Sequence, residues 1–366
     1  MIFSPQLLPN NPAGLSPDWE KLLLPVSDYM ASNKADGGRV ECGADGTALG
    51  RSLKGIPSVH IQRMTKDLSL LLQHEGYIEA ELYSPNMNFA EIMHFFRSED
   101  VTSDKSRKKH EAEWKKTKDG TLPYMKNVGG VSVEQHWEYP GRDVEWLCTW
   151  HSCLKLYVFD HIAGATDIRS KKQRYSDLKD LWSNLLIGEN LEDLTVLVPQ
   201  TAFQSIDEVY QAYDQAILSG YEGLVMMHKN SKYKMGRHSL NSGMAYKIKE
   251  DNLQFDGVIL SLEEGTEVIE GIEKKTNELG RSVTSKLKEH RVPSGLCKGF
   301  KVLMDDGNEL TVSLKDYPHP DRRAMLLDPS PYIGQTIRFT GMAAVKEGGC
   351  PRHAHYTKGN IRDAKE

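Results

Sequence analysis

The sequence predicts an α+β fold in two domains, and three features carry that expectation. At 366 residues the chain is longer than one ordinary core organises. Strand-like and helix-like segments are interleaved up to about residue 250. After Asp251 the style changes to short strands broken by glycine turns, with a single helix among them. The boundary falls near residues 250–254 and gives domains 1–251 and 252–366.

Taken in order, the first marked segment is NKADGGRV at 33–40. Asp36-Gly37 and Gly37-Gly38 are common hairpin signals, so the local reading is a turn between two strands. GYIEAELYS at 76–84 reads as a strand and FAEIMHFFRS at 89–98 as a helix. CLKLYVFDHI at 153–162 is apolar and aromatic enough for a buried strand, with Tyr157 and Phe159 on one face. SIDEVYQAYDQAILSG at 205–220 has a capping Ser205, Glu208 three residues on, apolar residues at helical spacing and a closing Gly220, which predicts a helix. EGLVMMHK at 222–229 and AYKIKE at 245–250 follow as strands, and Lys247 and Lys249 share a face of the second.

In the second domain, FDGVILSLEEGTE and GLCKGFKVLMDDGNELTVSL read as strands, with Asp306-Gly307 as a hairpin tip. DRRAMLL at 321–327 gives one short helix and GQTIRFTGMAAV at 334–345 a further strand. Short strands with one interposed helix fit a five-stranded oligonucleotide-binding-type (OB-fold) β-barrel. The polar, charged stretch 271–291 reads as a loop insertion.

Composition narrows the class. At 39% hydrophobic and 27% charged residues the chain reads as globular and soluble rather than disordered. No apolar run approaches the ~18–20 residues of a spanning helix, so no membrane partner is expected. MIFSPQLLPNNPAG has no basic leader region and is broken by prolines, against a secretory signal. Cys42, Cys148, Cys153, Cys297 and Cys350 form no C-x-x-C pair, against a zinc site or disulfide framework, so a reducing cytoplasm is the expected setting. The net charge of -5 argues weakly against nucleic acid, but basic residues cluster at 105–110, 115–116, 169–174 and 229–238. Such clusters are usually solvated surface and permit a phosphate-tracking face.

A lysine becomes a nucleophile when burial or nearby cations lower its pKa, and Arg39 could act on Lys34 in this way. K-x-D-G alone is short and arises by chance, but other motifs follow it in order. KADGGR at 34–39, GRSLKGIPS at 50–58, AELYSPNMNF at 80–89, LYVFDHI at 156–162, YEGLVM at 221–226 and AYKIK at 245–249 together resemble the ordered motifs of the nucleotidyltransferase superfamily. That superfamily holds ATP-dependent DNA ligases, RNA ligases and mRNA capping enzymes, and the likeness is closest to the small bacteriophage-type DNA ligases. Six ordered matches are specific as a set, although each alone is weak.

The resemblance implies an adenylation domain of packed antiparallel sheets and helices, followed by the OB-fold barrel. It implies an enzyme that seals nicks in double-stranded DNA, with ATP as substrate and Mg²⁺ or Mn²⁺ as metal. Lys34 would attack the α-phosphate of ATP to form lysine–AMP; AMP would pass to the 5′-phosphate of a nick, and the 3′-hydroxyl would displace it. Such phosphoryl transfer relies on positioning and cations. Lys247 and Lys249 would contact the α-phosphate, Asp36 would belong to the nucleotide site, Arg39 and Arg51 would lie on the ribose and nick-phosphate side, and Glu81 would accept a ribose hydroxyl. Glu222 would help hold the metal, and Tyr157 or Phe159 would stack on adenine, Phe159 matching the motif better. Arg362, in PRHAHYTKGNIRDAKE, is the choice for the element that orients the departing pyrophosphate.

Three departures stand out. Many relatives carry an acidic residue two before the lysine, for the adenine amino group, where this chain has Ser32. Relatives often end the fourth motif with lysine, where this chain has Met227, with Lys229 two further on. The final motif has imperfect spacing. Among alternatives, an NAD-dependent ligase would carry a four-cysteine zinc finger, and a capping enzyme fits the 50–58 and 80–89 segments less well. An RNA ligase shares the lysine chemistry but lacks the barrel directly after the fifth motif. A non-catalytic nucleic-acid-binding module has no need of Lys34, Asp36, Glu222 and Lys247 together. The expected enzyme is a monomer that closes around DNA, with 105–118 and 271–291 as candidate phosphate contacts.

Overall fold

The computed structural model describes residues 5–9, 25–72, 76–85, 87–97, 124–128, 131–138, 145–148, 154–164, 167–185, 194–249, 253–342, 344, 348–357 and 361–362. The 105–118 stretch lies outside them. The chain divides into two units, Met1–Glu250 and Asp251–Glu366. No helix among the described residues is long and apolar enough to cross a membrane.

In the first unit the elements are β1 (Gln6–Leu7), β2 (Tyr29–Lys34), β3 (Gly38–Gly43), β4 (Ala48–Gly50), α1 (Val59–Ser69), β5 (Tyr77–Tyr83) and α2 (Phe89–Arg97). A three-stranded sheet of β6 (Tyr124–Val128), β7 (Val131–Glu138) and β8 (Glu145–Cys148) follows. Then come β9 (Lys155–Ile162), α3 (Lys171–Leu185), β10 (Thr195–Leu197), α4 (Ile206–Leu218), β11 (Gly223–His228), β12 (Gly236–Arg237) and β13 (Ala245–Lys249).

Two of the unit's sheets carry its core. One has the order β13-β11-β2, and the other β10-β9-β5-β3-β4. The expectation of wholly antiparallel sheets is corrected at two places: β9 and β10 run parallel, as do β1 and β12. The first follows from α3, because a helix between two strands carries the chain back to the starting end of the sheet. Nor is NKADGGRV a hairpin. It joins β2 to β3, which belong to different sheets. Gly37 lets the connection pass against β5, since a Cβ there would lie 2.1 Å from the Leu82 carbonyl oxygen.

Each sheet buries one face on helices. Val40, Ile78, Ala80, Leu82, Leu156 and Val158 pack with Ile61, Met64 and Leu68 of α1 and Leu178 of α3. Ala31, Leu224, Met226 and Ile248 pack with Val209, Tyr213 and Ala216 of α4. Burying a large apolar side chain contributes about 1.5–3 kcal/mol, so these faces fix which side of each strand is left for chemistry. Ser205 caps α4 as expected, its hydroxyl accepting from the Glu208 amide at 3.2 Å.

The second unit contains β14 (Leu253–Val268), β15 (Lys275–Thr276), β16 (Ser282–Val283), β17 (Arg291–Met304), β18 (Glu309–Lys315), α5 (His319–Leu327), β19 (Thr336–Met342), β20 (Arg352–Thr357) and β21 (Ile361–Arg362). The pairings run β14-β17-β18-β20-β19 and β19 pairs again with β14. Ile259, Phe300, Val302, Val312, Ile337, Phe339 and Tyr356 form the core, with Met325 of α5 packed on it. The 271–291 stretch is more ordered than the expected loop. β14 and β17 stay paired out to Val268 and Arg291, and β15 and β16 form a short ladder between them.

Candidate active site

Lys34 ends β2, and the three-stranded sheet aligns it with its partners. Gly223 of β11 stands in register with Lys34 on one side and Lys249 on the other. Two residues on, Val225 stands between Ser32 and Lys247. Strand alternation therefore puts Lys34, Lys247 and Lys249 on one face, opposite the core face. Only glycine fits at 223: its φ is +142°, and a Cβ would lie 2.1 Å from the Ile248 carbonyl oxygen.

Glu222 sets its carboxylate between two of the lysines. One oxygen pairs with Lys34 Nζ and the other with Lys249 Nζ at 2.6 Å. Its amide donates to the Lys34 carbonyl at 2.8 Å. Burial pushes the Glu222 carboxyl up, but Lys34 and Lys249 outweigh it and hold it below the usual carboxylate range. Lys247 has the opposite balance: burial, with Lys249 and Lys34 adding to it, pushes its ammonium down to about 8.

The five-stranded sheet brings Arg39, Glu81 and Tyr157 into one row. The Arg39 guanidinium lies 3.1 Å from Glu79, 3.6 Å from Glu41 and 3.8 Å from Glu81, and 4.6 Å from the Phe159 ring centroid. Burial disfavours its charge, but Glu79, Glu41 and Glu81 outweigh that and hold it protonated. Glu81 is pushed up to about 7 by burial, against the pull of Arg39 and Lys34. Tyr157 meets Tyr83 edge-on with centroids 5.2 Å apart, and its hydroxyl bonds to Tyr221.

A cavity of about 200 Å³ is lined from both sheets, by Ser32 and Lys34 on one side and Arg39, Glu81, Tyr157 and Phe159 on the other. Behind Phe159, Asp160 is buried between Lys171 Nζ at 3.0 Å and Arg174 Nε at 3.0 Å. Burial would raise the Asp160 carboxyl, but these cations hold it down at about 2. The basic cluster at 169–174 is thus no solvated face, because Lys171 and Arg174 are buried to neutralise Asp160.

The remaining expected residues lie elsewhere or are placed more coarsely. Asp36 is half-buried in the connection after Lys34, and its charge acts on Glu81. Arg51 is exposed in the turn after β4 and does not line the cavity. Arg362 pairs through its backbone with Thr336 in the second unit. Met227 lines the cavity, while Lys229 donates to the Ser27 carbonyl at 2.6 Å. Sequence reading missed Gln6, Lys171, Gln200 and Tyr221, all of which line the cavity. Tyr221 opens the quoted fourth motif and Lys171 lies in the 169–174 basic cluster, whereas Gln6 and Gln200 carried no local signal.

Residues 15–249 match the family model of the ATP dependent DNA ligase domain. A search of curated proteins finds no match. Among solved structures, a Lig E DNA ligase described as binding DNA with a minimal scaffold is similar at 16% identity, over 99% of this chain and 100% of that one, with a TM-score of 0.59. The Chlorella virus DNA ligase-adenylate is 16% identical over 99% and 100%, with a TM-score of 0.43. The ATP-dependent DNA ligase from bacteriophage T7 in complex with ATP is 16% identical over 98% of each chain, also at 0.43. The family match spans more than half of the chain and takes in every cavity residue from Met30 to Met227 together with Glu222, Lys247 and Lys249. This chain belongs to the ATP dependent DNA ligase domain family.

Proposed function

We propose that Lys34 is the residue that carries AMP. The observation that supports it is the pairing of Lys34 and Lys249 on one carboxylate, at a cavity whose other wall carries Arg39, Glu81 and Phe159. As a member of its family the protein is an ATP-dependent DNA ligase, which joins DNA through an adenylated intermediate. In the first step Lys34 Nζ, having lost a proton, bonds to the α-phosphorus of ATP. The bond from that phosphorus to the bridging oxygen breaks, and pyrophosphate leaves. Lys247 and Lys249 hold the α-phosphate oxygens as cations. Glu81 accepts a ribose hydroxyl, and Phe159, which faces the cavity beneath Arg39, is the platform for the base. We propose Arg362 for orienting the departing pyrophosphate on its place in the final motif alone.

Mg²⁺ or Mn²⁺ suits a hard carboxylate, and Glu222 would hold it. Among the described residues no three His, Cys, Asp or Glu side chains gather as a cage. That fits an ion which takes one or two carboxylates and completes its shell with substrate phosphates. When bound, it neutralises charge on the triphosphate.

The DNA substrate proposed is a nicked duplex, gripped by a monomer, with Arg51 on the nick phosphate. The second unit is proposed to be an OB-fold barrel, which the closed circuit of strand pairings supports. Exposed Lys274, Lys275, Arg281, Lys286 and Lys288 make its 271–291 extension the candidate backbone contact. Buried free Cys42 and Cys297 suit a reducing cytoplasm.

The test is to incubate the protein with Mg²⁺ and radiolabelled ATP, isolate the protein–AMP adduct, and chase it with nicked DNA and with broken RNA. An adduct that discharges on nicked DNA is expected. Failure to form one would sink the reading, and sealing of RNA alone would make the protein an RNA ligase.

A further inference from the structure

Ser32, two residues before Lys34, brings only a short hydroxyl to the cavity. β2 is paired with β11 on one edge, where Val225 faces Ser32, and on its other edge it meets the segment following β10. Ala31 and Thr201 exchange backbone hydrogen bonds, the Ala31 amide donating at 2.7 Å and the Thr201 amide at 2.8 Å. This bridge joins the two sheets and sets the preceding residue, Gln200, beside Ser32. Both line the cavity.

Gln200 is held from two directions. Its backbone amide donates to the Tyr175 hydroxyl at 3.1 Å, and that hydroxyl donates to the Val198 carbonyl at 3.2 Å. Its side-chain Nε2 donates to the Phe159 carbonyl at 2.7 Å, which also accepts from Lys171 Nζ at 2.9 Å. A carbonyl oxygen can only accept, so this bond decides how the amide is turned. The NH₂ group is committed to the backbone of the aromatic strand, and Oε1 is left as the free end. Among the described residues no donor reaches Oε1. An acceptor anchored to the Phe159 backbone, lining the cavity into which the Phe159 ring projects, is suited to the edge of a base on that ring.

We propose that Gln200 Oε1 accepts a hydrogen bond from the 6-amino group of adenine, which makes Gln200 a specificity-determining residue for ATP. The proposal rests on the reading of this cavity as the ATP site. A base with hydrogen at the 6-position leaves Oε1 unpaired. A 6-oxo base sets one acceptor against another, and sites built around a hydrogen bond reject such partners more strongly than apolar pockets do. Gln200 supplies the acceptor that the Ser32 hydroxyl is too short to present in the manner of a carboxylate.

The experiment uses the full chain with Mg²⁺ and an equimolar mixture of ATP and purine riboside triphosphate, which lacks the 6-amino group. Intact-protein mass spectrometry then reads the two nucleotidyl adducts in one sample, so a general loss of yield cancels from their ratio. The wild type should favour ATP by about tenfold, the value of one such hydrogen bond. Gln200→Met, which keeps the side-chain length but replaces the amide oxygen with a weakly accepting sulfur, should bring the ratio close to one. Gln200→Ala should do the same. A wild-type ratio near one, a wild-type preference for GTP in the matching competition, or an undiminished ratio in a variant that charges overturns the role of Gln200. No adduct from the wild type with any nucleotide overturns the ATP-site reading along with it.

Discussion

Lys34 and Lys249 stand on either side of Gly223, each in register with it, and are tied to the two oxygens of the Glu222 carboxylate. The anion preceding the glycine thus neutralises two cations that the sheet itself brings together. Without it, Lys34, Lys247 and Lys249 would repel one another on one face. In the proposed reaction, phosphates of an incoming nucleotide would take over that neutralisation and free Lys34.

Glu222→Gln should therefore weaken both folding and chemistry. Losing the charge that holds two half-buried lysines should lower stability by about 1–3 kcal/mol, measured by thermal unfolding. Adduct formation should fall about 10²-fold, the usual scale for one electrostatic group at a reacting centre. Unchanged charging would remove Glu222 from the site.

Lys247 gives a pH dependence whose sign follows from its lowered value. With its ammonium at about 8 in the free protein, it is a cation below that pH and neutral above it. Binding of a non-hydrolysable ATP analogue should be constant below pH 8 and weaken above it, by at most about tenfold per pH unit. Lys247→Arg stays charged and should flatten the profile. A decline of the same shape in that variant would assign it to another group.

Lys34 and Arg51 should separate by step. Lys34→Ala should form no adduct while still binding nicked DNA, and a variant that still charges with AMP would refute the assignment. Arg51 is exposed and away from the cavity, so Arg51→Ala should charge normally and seal about 10-fold or more slowly, within the range for a lost phosphate contact. Normal sealing would take Arg51 out of the nick site.

Asp160 bears on stability in acid. Its carboxyl is held at about 2 in the fold against an ordinary 3.8. A depressed acid contributes stability above its unfolded value, here about 2 kcal/mol, and loses it as pH falls from about 4 towards 2. Asp160→Asn should cost about 3–5 kcal/mol, because Lys171 and Arg174 would remain buried without their anion. Thermal melts at pH 7 check this, and a shift under 1 kcal/mol would show the cations relaxing into solvent.

Much of this was legible locally. The cap of α4, the strand alternation that puts Lys247 and Lys249 on one face, and the tip at Asp306-Gly307 are set by neighbours within a few residues. Periodicity and turn chemistry report on such neighbours directly. The ordered motifs likewise marked Lys34, Glu81, Phe159 and Glu222. Only the tertiary structure decided that the 33–40 turn passes between two sheets, that Lys171 and Arg174 serve a buried acid, and that Gln200 reaches the cavity. The reason is distance along the chain. Glu222 lies 188 positions from Lys34, Gln200 lies 41 from Phe159, and no local pattern encodes which strands pair. The chain by itself determined the family and the ordered motifs from which the chemistry of Lys34 is proposed, whereas the pairing of β2 with β11 decided which carboxylate holds it.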